Sequence, residues 1–171
     1  DNCRQLLERV LEMPISRVEV IKEKSMIYHP ECKGVRLDVY AKDEKNTHYD
    51  VEMQLLKRDA LPKRSRYYHS QMDMELLASG AKYEMLPNTY VIFICDFDPF
   101  SDEKYRYCFQ NICRETGKEL GDGAETIFLS TRGKNPDEVS EELVSFLEFV
   151  RAGQDGNSEV FEDTYVTRLQ N

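Results

Sequence analysis

Alternating apolar and polar residues mark the middle of the chain, between residues 34 and 56. In each of two short runs every second residue is apolar, and Glu44, Lys45 and Asn46 form a polar break between the runs. A period of two is typical of a strand with one buried face, and Asn tolerates the backbone of a tight turn. The pattern therefore predicts a hairpin of two half-buried strands. Its apolar face is expected to consist of Val35, Leu37, Val39, Ala41, Val51, Met53 and Leu55.

Helical spacing and apolar runs predict the elements around this hairpin. Apolar residues at helical spacing predict helices over residues 2–13 and 136–151, and Pro62 opens a third helix that runs to about Ser79, before the stop signal Gly80. Further strands are expected at residues 16–22, 90–97, 105–113 and 125–130, with loops at 25–33 and 115–123. The run 90–97 is almost wholly apolar, which indicates a central strand buried on both faces. This mixture of helices and strands predicts an α/β fold.

Composition is that of an ordinary globular domain. The chain has 171 residues, of which 40% are hydrophobic and 32% charged, enough for one domain with a sizeable core. No apolar run approaches the about twenty residues of a membrane span, and no signal peptide is visible, so we expect no membrane association. Five scattered cysteines without a C-x-x-C motif favour reduced thiols and a cytoplasmic location. We expect one domain over residues 1–151 and a C-terminal extension over 152–171, the start of a truncated region.

The net charge of −9 is unevenly distributed along the chain. Residues 1–95 hold 15 acids and 15 Lys or Arg, whereas residues 96–171 hold 17 acids and only 8 Lys or Arg. A local basic stretch, in which Asp59 is the only acid, consists of Lys57, Arg58, Lys63, Arg64 and Arg66. Such a stretch could bind the phosphates of a nucleic acid, and the alternative is the solvated start of a helix. The acidic second half predicts DNA binding that is weak and salt-dependent unless a partner adds positive charge.

Candidate chemistry lies on the polar face of the predicted hairpin. Asp38, Glu52 and Gln54 share that face, and a turn centred on Lys45 places Asp38 opposite Glu52. Directly opposed residues have Cβ atoms about 4.5–5.5 Å apart, and two carboxylates at that distance repel each other unless a proton or a cation lies between them. Carboxylate oxygens are ligands that suit Mg²⁺ or Mn²⁺. The alternative is an ordinary water-facing hairpin surface, on which acids such as Asp50 pair with bases across the strands.

The order of these residues resembles the core of the PD-(D/E)XK nucleases. The shared features are Leu37-Asp38-Val39, then Val51-Glu52-Met53-Gln54, then Arg64, Tyr68, Gly80 and Tyr83, over roughly residues 3–150. The resemblance is closest to the Rpn family of recombination-promoting nucleases, also described as PD-(D/E)XK family transposases, which carry Gln where the wider superfamily has Lys. It implies a restriction-endonuclease-like fold with a mixed central sheet flanked by helices, in αβββαβ order.

The resemblance also implies a function, namely metal-dependent cleavage of DNA phosphodiester bonds linked to recombination or transposition. By this resemblance, Asp38 and Glu52 would bind Mg²⁺ or Mn²⁺ together with the backbone carbonyl of Met53. Gln54 would orient a water molecule or the scissile phosphate. The other residues expected at the active site are Arg64 and Tyr68.

Several points are left open by the sequence. Gln71 follows Arg64 and Tyr68 on the same face of the predicted helix. It is a candidate for nucleic-acid binding, like the basic stretch, but only because of that position. An acid of the first helix often completes the metal site in this superfamily, and Glu8 and Glu12 are available. A homodimer would suit cleavage of both DNA strands. The rival functions are a catalytically silent nucleic-acid-binding domain and a protein-interaction domain.

A second pair of acids, Asp96 and Asp98, follows the predicted strand 90–97. Strand ends often carry functional residues, which makes both carboxylates candidate metal ligands. However, Asp98-Pro99 is a common turn sequence, and we therefore favour a turn at this position.

Overall fold

The computed structural model describes residues 2–26, 35–58 and 60–155. Its helices are α1 (Asn2–Leu11), α2 (Leu61–Leu76) and α3 (Glu141–Asp155). Its strands are β1 (Val18–Met26), β2 (Val35–Asp43), β3 (His48–Gln54), β4 (Thr89–Cys95), β5 (Arg106–Phe109) and β6 (Ala124–Ser130). Short 3₁₀ turns lie at Tyr83–Met85 and Pro136–Glu138.

The six strands form one mixed sheet in the order β1-β2-β3-β4-β6-β5. The pairs β1–β2, β2–β3 and β5–β6 are antiparallel, whereas β3–β4 and β4–β6 are parallel. The chain order begins α1-β1-β2-β3-α2-β4, which is the predicted αβββαβ order, and β5, β6 and α3 follow. The prediction of an α/β fold with a mixed central sheet is therefore confirmed.

Helices cover both faces of the sheet, and each face has its own apolar core. On one face α1 and α3 contribute Leu7 and Leu147, which pack with Val51 of β3. On the other face α2 contributes Met72, which packs with Phe93 of β4. Alternate residues of β4 enter the two cores, so the prediction that this strand is buried on both faces is confirmed.

The turn between β2 and β3 has the predicted position. Residue pairs Val39–Val51 and Tyr40–Asp50 lie opposite each other, which centres the hairpin on residue 45. Asn46 adopts the left-handed conformation with a φ of 61°. The register that depends on this turn is therefore as the sequence predicts.

One prediction about the hairpin is wrong, because β3 is not half-buried. The side chains of Asp50 and Glu52 are 0% and 1% exposed, since α2 covers the face that we expected to meet water. Met53 and Leu55, which were expected in the core, are instead 41% and 46% exposed. Their side chains point to the same face of the strand as Val51, but they lie outside the core that α1 and α3 form.

Other element boundaries shift by a few residues. β1 begins at Val18 and continues to Met26, so the predicted loop 25–33 starts inside a strand, and most of it lies outside the described residues. β5 is shorter than the predicted strand 105–113. The remaining boundaries also move: α1 ends at Leu11, α2 ends at Leu76, β4 ends at Cys95, and α3 begins after a separate 3₁₀ turn.

Gly80 adopts a positive φ of 79°, but the prediction that it stops α2 is wrong, because the helix ends at Leu76 and Leu77 is already extended. Within the part of the chain that the structure describes, no helix has both the length and the apolar character needed to cross a bilayer. The domain boundary at residue 151 stays a prediction, and residues 156–171 of the expected extension lie outside the described residues.

Candidate active site

Two carboxylates meet at the open end of the β2–β3 hairpin. The backbone N–H of Asp38 donates a hydrogen bond to Oε1 of Glu52 over 3.2 Å. The backbone N–H of Met53 donates to Oδ2 of Asp38 over 3.1 Å. Each acid is thus held by the backbone of the opposite strand. Asp38 is exposed and Glu52 is buried, so the pair lies at the boundary between solvent and core.

Arg64 connects this pair to α2. Its Nε donates to the Tyr68 hydroxyl over 2.5 Å, because residues four apart on a helix lie side by side. Its Nη1 donates to Oε1 of Gln54 over 3.2 Å, and its Nη2 lies 3.8 Å from Oε2 of Glu52. Four residues that the sequence predicted for the site are therefore joined in one network.

An open cavity of about 690 Å³ adjoins this network. It is lined by Asp38, Met53, Gln54, Leu55, Leu56, Arg58, Arg64 and Asp96. Gln54 ends β3 and Asp96 directly follows β4, and these two strands are parallel neighbours. The cavity therefore lies at the carboxyl ends of parallel strands, where α/β proteins commonly bind ligands.

Burial changes the protonation of the acids on β3. The pKa of Glu52 is raised to about 7, chiefly by burial and further by the Asp38 carboxylate, whereas the neighbouring Asp50 carboxyl group lowers it. The pKa of Asp50 is raised well above its usual range, first by burial and then by Glu52. Burial therefore favours the neutral form of the Asp50 carboxyl group.

The interpretation of this hairpin face as a water-facing surface with paired charges is wrong for the described side chains. Asp50 is fully buried, and no described donor forms a hydrogen bond with either of its carboxyl oxygens. Arg36 of β2 has the same parity as Asp38, and its side chain is not described. The sequence pattern placed Asp50 on the correct face but could not indicate that α2 covers it.

The donor set fits a hard divalent cation. Asp38 and Glu52 are opposed carboxylates, and a cation between them would remove the repulsion that raises the pKa of Glu52. Among the described residues, no group of three or more His, Cys, Asp or Glu side chains could hold a metal ion. The further ligands would therefore have to be backbone oxygens, water or substrate phosphate.

The basic stretch is divided by the fold. Arg58 and Arg64 line the cavity. Lys57, Lys63 and Arg66 are exposed nearby, on the loop after β3 and on the first turns of α2. Within the described ranges, none of these three side chains, nor Arg58, forms an ion pair. The stretch therefore presents positive charge to solvent beside the cavity.

Two residues of the predicted helical stripe are not accessible from solvent. Tyr68 is 7% exposed and packs against Phe93, with ring centroids 6.3 Å apart. Its hydroxyl is therefore fixed at the edge of the core, where it accepts the hydrogen bond from Arg64. Gln71 is also 7% exposed and does not line the cavity. A nucleic-acid contact by Gln71 was inferred from helical position alone, and it stays a prediction for a residue that lies in the α2 interface.

Asp96 lines the cavity, although the sequence favoured a turn for this segment. Its Oδ1 accepts hydrogen bonds from the Thr131 hydroxyl over 2.8 Å and from Nη2 of Arg132 over 3.3 Å. Its backbone N–H donates to the carbonyl of Gln54 over 2.9 Å. Asp98 does form the expected turn, where it accepts hydrogen bonds from three backbone N–H groups and the Tyr107 hydroxyl.

The acids of the first helix are occupied elsewhere. Glu8 forms an ion pair with Arg4 at 2.9 Å and accepts a hydrogen bond from the backbone N–H of Ile15 over 2.9 Å, which holds the loop after α1. Glu12 lies 3.4 Å from Arg106 of β5. Neither Glu8 nor Glu12 lines the cavity, so α1 does not supply the additional acid that the sequence left open.

The mixed sheet, its three helices and the acid pair on the hairpin together define a PD-(D/E)XK nuclease-like fold. The model of the PD-(D/E)XK nuclease family transposases matches residues 3–161, and the chain belongs to this family. The family links the chain to nucleases associated with transposition, and PD-(D/E)XK nucleases usually use divalent metals. A comparison with curated proteins found no match. The narrower resemblance to the Rpn branch stays a prediction.

Proposed function

We propose that this protein is a metal-dependent endonuclease that hydrolyses phosphodiester bonds in DNA. The observation that carries the proposal is the pairing of Asp38 with Glu52 beside Gln54 and Arg64, at one open cavity. The family supports a nuclease linked to transposition, and DNA is the substrate that such a nuclease would cleave.

Asp38, Glu52 and the backbone carbonyl of Met53 are the groups that would hold Mg²⁺ or Mn²⁺. When bound, the ion would make a water molecule more acidic and offset the negative charge that develops on the phosphate. Glu52 must be ionised to act as a ligand, and its pKa of about 7 indicates that ionisation is poised near neutral pH in the ion-free protein.

Gln54 and Arg64 would position the phosphate. Because Oε1 of Gln54 accepts a hydrogen bond from Arg64, the amide N–H groups of Gln54 are left to donate to a phosphate oxygen or a water. Gln54 carries no charge, so Arg64 supplies the cation next to the acid pair. Tyr68 holds the Arg64 guanidinium in place through its hydroxyl.

The exposed cations beside the cavity would bind the DNA backbone. Lys57, Arg58, Lys63 and Arg66 face solvent and could contact phosphates without reading the base sequence. The net charge of −9 opposes this attraction, and we therefore expect DNA binding to weaken steeply as salt concentration rises.

Cleavage of supercoiled plasmid tests the proposal. We expect purified protein to nick or linearise the plasmid with Mg²⁺ or Mn²⁺ and not with EDTA, and Glu52→Gln and Asp38→Asn to abolish the reaction. Glu84→Gln, an exposed acid outside the cavity, is the matched control and should cleave normally. Cleavage that survives in Glu52→Gln would refute the assignment.

Calorimetric titration with Mn²⁺ tests the metal site without a substrate. Heat of binding should appear in the wild type and disappear in Glu52→Gln, with Glu84→Gln again as the control. DNA binding without metal-dependent cleavage would instead identify a catalytically silent nucleic-acid-binding domain.

A further inference from the structure

Three large apolar side chains face solvent at the rim of the candidate active site. Met53, Leu55 and Leu56 line the cavity and are 41%, 46% and 71% exposed. Exposed apolar residues are common as single side chains, whereas a group of them at the edge of a polar site marks an interaction surface. We call these three residues the apolar rim.

The end of β3 explains why the apolar rim faces water. Met53 and Leu55 have the same parity as Val51, which is buried in the core of α1 and α3, but they lie beyond that core. Leu56 follows in the loop that leads to α2. No described part of the chain buries these side chains, so a partner is needed to remove them from water.

The charge around the apolar rim identifies the class of partner. Lys57 and Arg58 directly follow Leu56, and Lys63 and Arg66 lie on the next turns of α2. A symmetric contact between two copies of this chain would bring these cations together, which is unfavourable. A nucleic acid instead offers phosphates to the cations and apolar base faces to the leucines.

A regular duplex hides its base faces, because each base is stacked on its neighbours. Apolar side chains gain contact with bases only where a step is opened, and proteins that insert Leu or Met between bases use that contact to offset the unstacking. We propose that the apolar rim contacts unstacked bases beside the scissile phosphate, so that the protein favours DNA with unpaired or distorted bases. This inference rests on the proposed function and specifies its substrate class.

Binding to two matched DNA molecules tests the inference. One is a fully paired duplex, and the other is the same duplex with a central bulge. The bulged duplex carries a fluorescent adenine analogue at the position next to the bulge. Fluorescence anisotropy measures affinity in the Glu52→Gln background, where cleavage does not consume the DNA. The test variant is Leu55→Ser/Leu56→Ser. The matched control is Ile112→Ser/Leu120→Ser, two apolar residues 56% and 68% exposed in the β5–β6 connection, away from the cavity.

We expect the parent protein to bind the bulged duplex about fivefold or more tightly than the paired one, as insertion into an already opened step avoids the unstacking cost. The Leu55→Ser/Leu56→Ser variant should bind both duplexes equally and lose the fluorescence change of the base analogue, whereas the control keeps both properties. Equal binding by the parent protein, or a preference that survives in the leucine variant, would overturn the inference. The inference would also be overturned if the parent protein showed no preference for the bulge and formed a dimer, seen by light scattering, that the leucine variant does not form.

The outcome also separates this inference from the proposed function. A bulge preference that depends on Leu55 and Leu56, in a protein whose wild type cleaves no DNA, would uphold the apolar rim and refute the nuclease. Metal-dependent cleavage by the wild type without such a preference would uphold the nuclease and refute the role of the apolar rim.

Discussion

Nη1 of Arg64 donates a hydrogen bond to Oε1 of Gln54 over 3.2 Å and thereby joins α2 to the end of β3. The same guanidinium bonds the Tyr68 hydroxyl and lies 3.8 Å from Glu52. One planar cation therefore contacts three site residues from two elements. Because Gln54 carries no charge, this arrangement makes Arg64 the cation beside the acid pair.

Arg64→Lys should lower the rate of DNA cleavage by roughly 10- to 100-fold, because an ammonium group cannot reproduce the planar fork of the guanidinium. The effect should fall on kcat more than on KM, since the net charge is unchanged. Arg114→Lys, at an exposed arginine in the β5–β6 connection away from the cavity, is the matched control and should cleave at the wild-type rate. Equal rates in the two variants would contradict the role of Arg64.

Arg132 is a further cation near the cavity, and it is paired with Asp96 at 3.3 Å. Because Asp96 lines the cavity and the Arg132 side chain is 35% exposed, we predict that Arg132 contacts a DNA phosphate. Arg132→Ala should reduce the slope of log affinity against log salt by about one. Arg114→Ala, an exposed arginine in the β5–β6 connection, should leave the slope unchanged. A slope unaltered by Arg132→Ala would exclude that contact.

The hairpin was predictable because its information is local. Alternation, a polar break and Asn46 in the turn together fix which residues of β2 and β3 face each other. The pairing of Asp38 with Glu52 follows from that register alone. The order of elements was predictable for the same reason, since each helix and strand has its own periodicity.

The burial of Asp50 and the position of Asp96 at the cavity depend on contacts between segments that are distant in the chain. Asp50 is buried because α2 packs over β3, and no pattern within β3 indicates this covering layer. Asp96 meets Arg132 because β4 pairs with β6 although β5 lies between them in the chain. Neither relationship has a local signal, so the sequence suggested candidates without showing which of them meet.

The buried Glu52 should make the fold less stable as pH rises. Its pKa is about 7 in the folded protein against 4.5 ordinarily, so the folded state holds a proton that the unfolded state releases between these values. The free energy of unfolding therefore falls across this window, and Glu52→Gln removes that loss. At a pH above 7 the variant should be more stable than the wild type by roughly 3 kcal/mol.

Urea denaturation at several pH values, in EDTA, measures this difference. EDTA is needed because a bound cation would stabilise the ionised carboxylate of Glu52 and mask the effect. Glu84→Gln is the control for loss of a negative charge at an exposed position and should follow the wild-type profile. A difference between Glu52→Gln and wild type that stays constant with pH would contradict the raised pKa.

His69 of α2 should act in the opposite direction. Its Nδ1 lies 2.8 Å from the Thr89 hydroxyl and its Nε2 lies 3.0 Å from the Thr126 hydroxyl, so the ring ties α2 to β4 and β6. Burial lowers the pKa of His69 to about 4 from 6.5. Between these values the unfolded state binds a proton that the folded state does not, so stability is lost as pH falls from 6.5 to 4.

His69→Gln should therefore remove a stabilisation of roughly 3 kcal/mol that the wild type gains between the two pKa values. The contributions of His69 and Glu52 overlap in pH and have opposite signs, so the wild-type profile is expected to be flatter than that of either variant. Glu52→Gln should gain stability with rising pH more steeply than wild type, and His69→Gln should gain less or lose it. His48, which is also buried with a lowered pKa, is retained in all three proteins and cancels from the comparison. Parallel profiles for His69→Gln and wild type would show that the pKa of His69 is the same in the folded and unfolded states, which would contradict the lowered pKa.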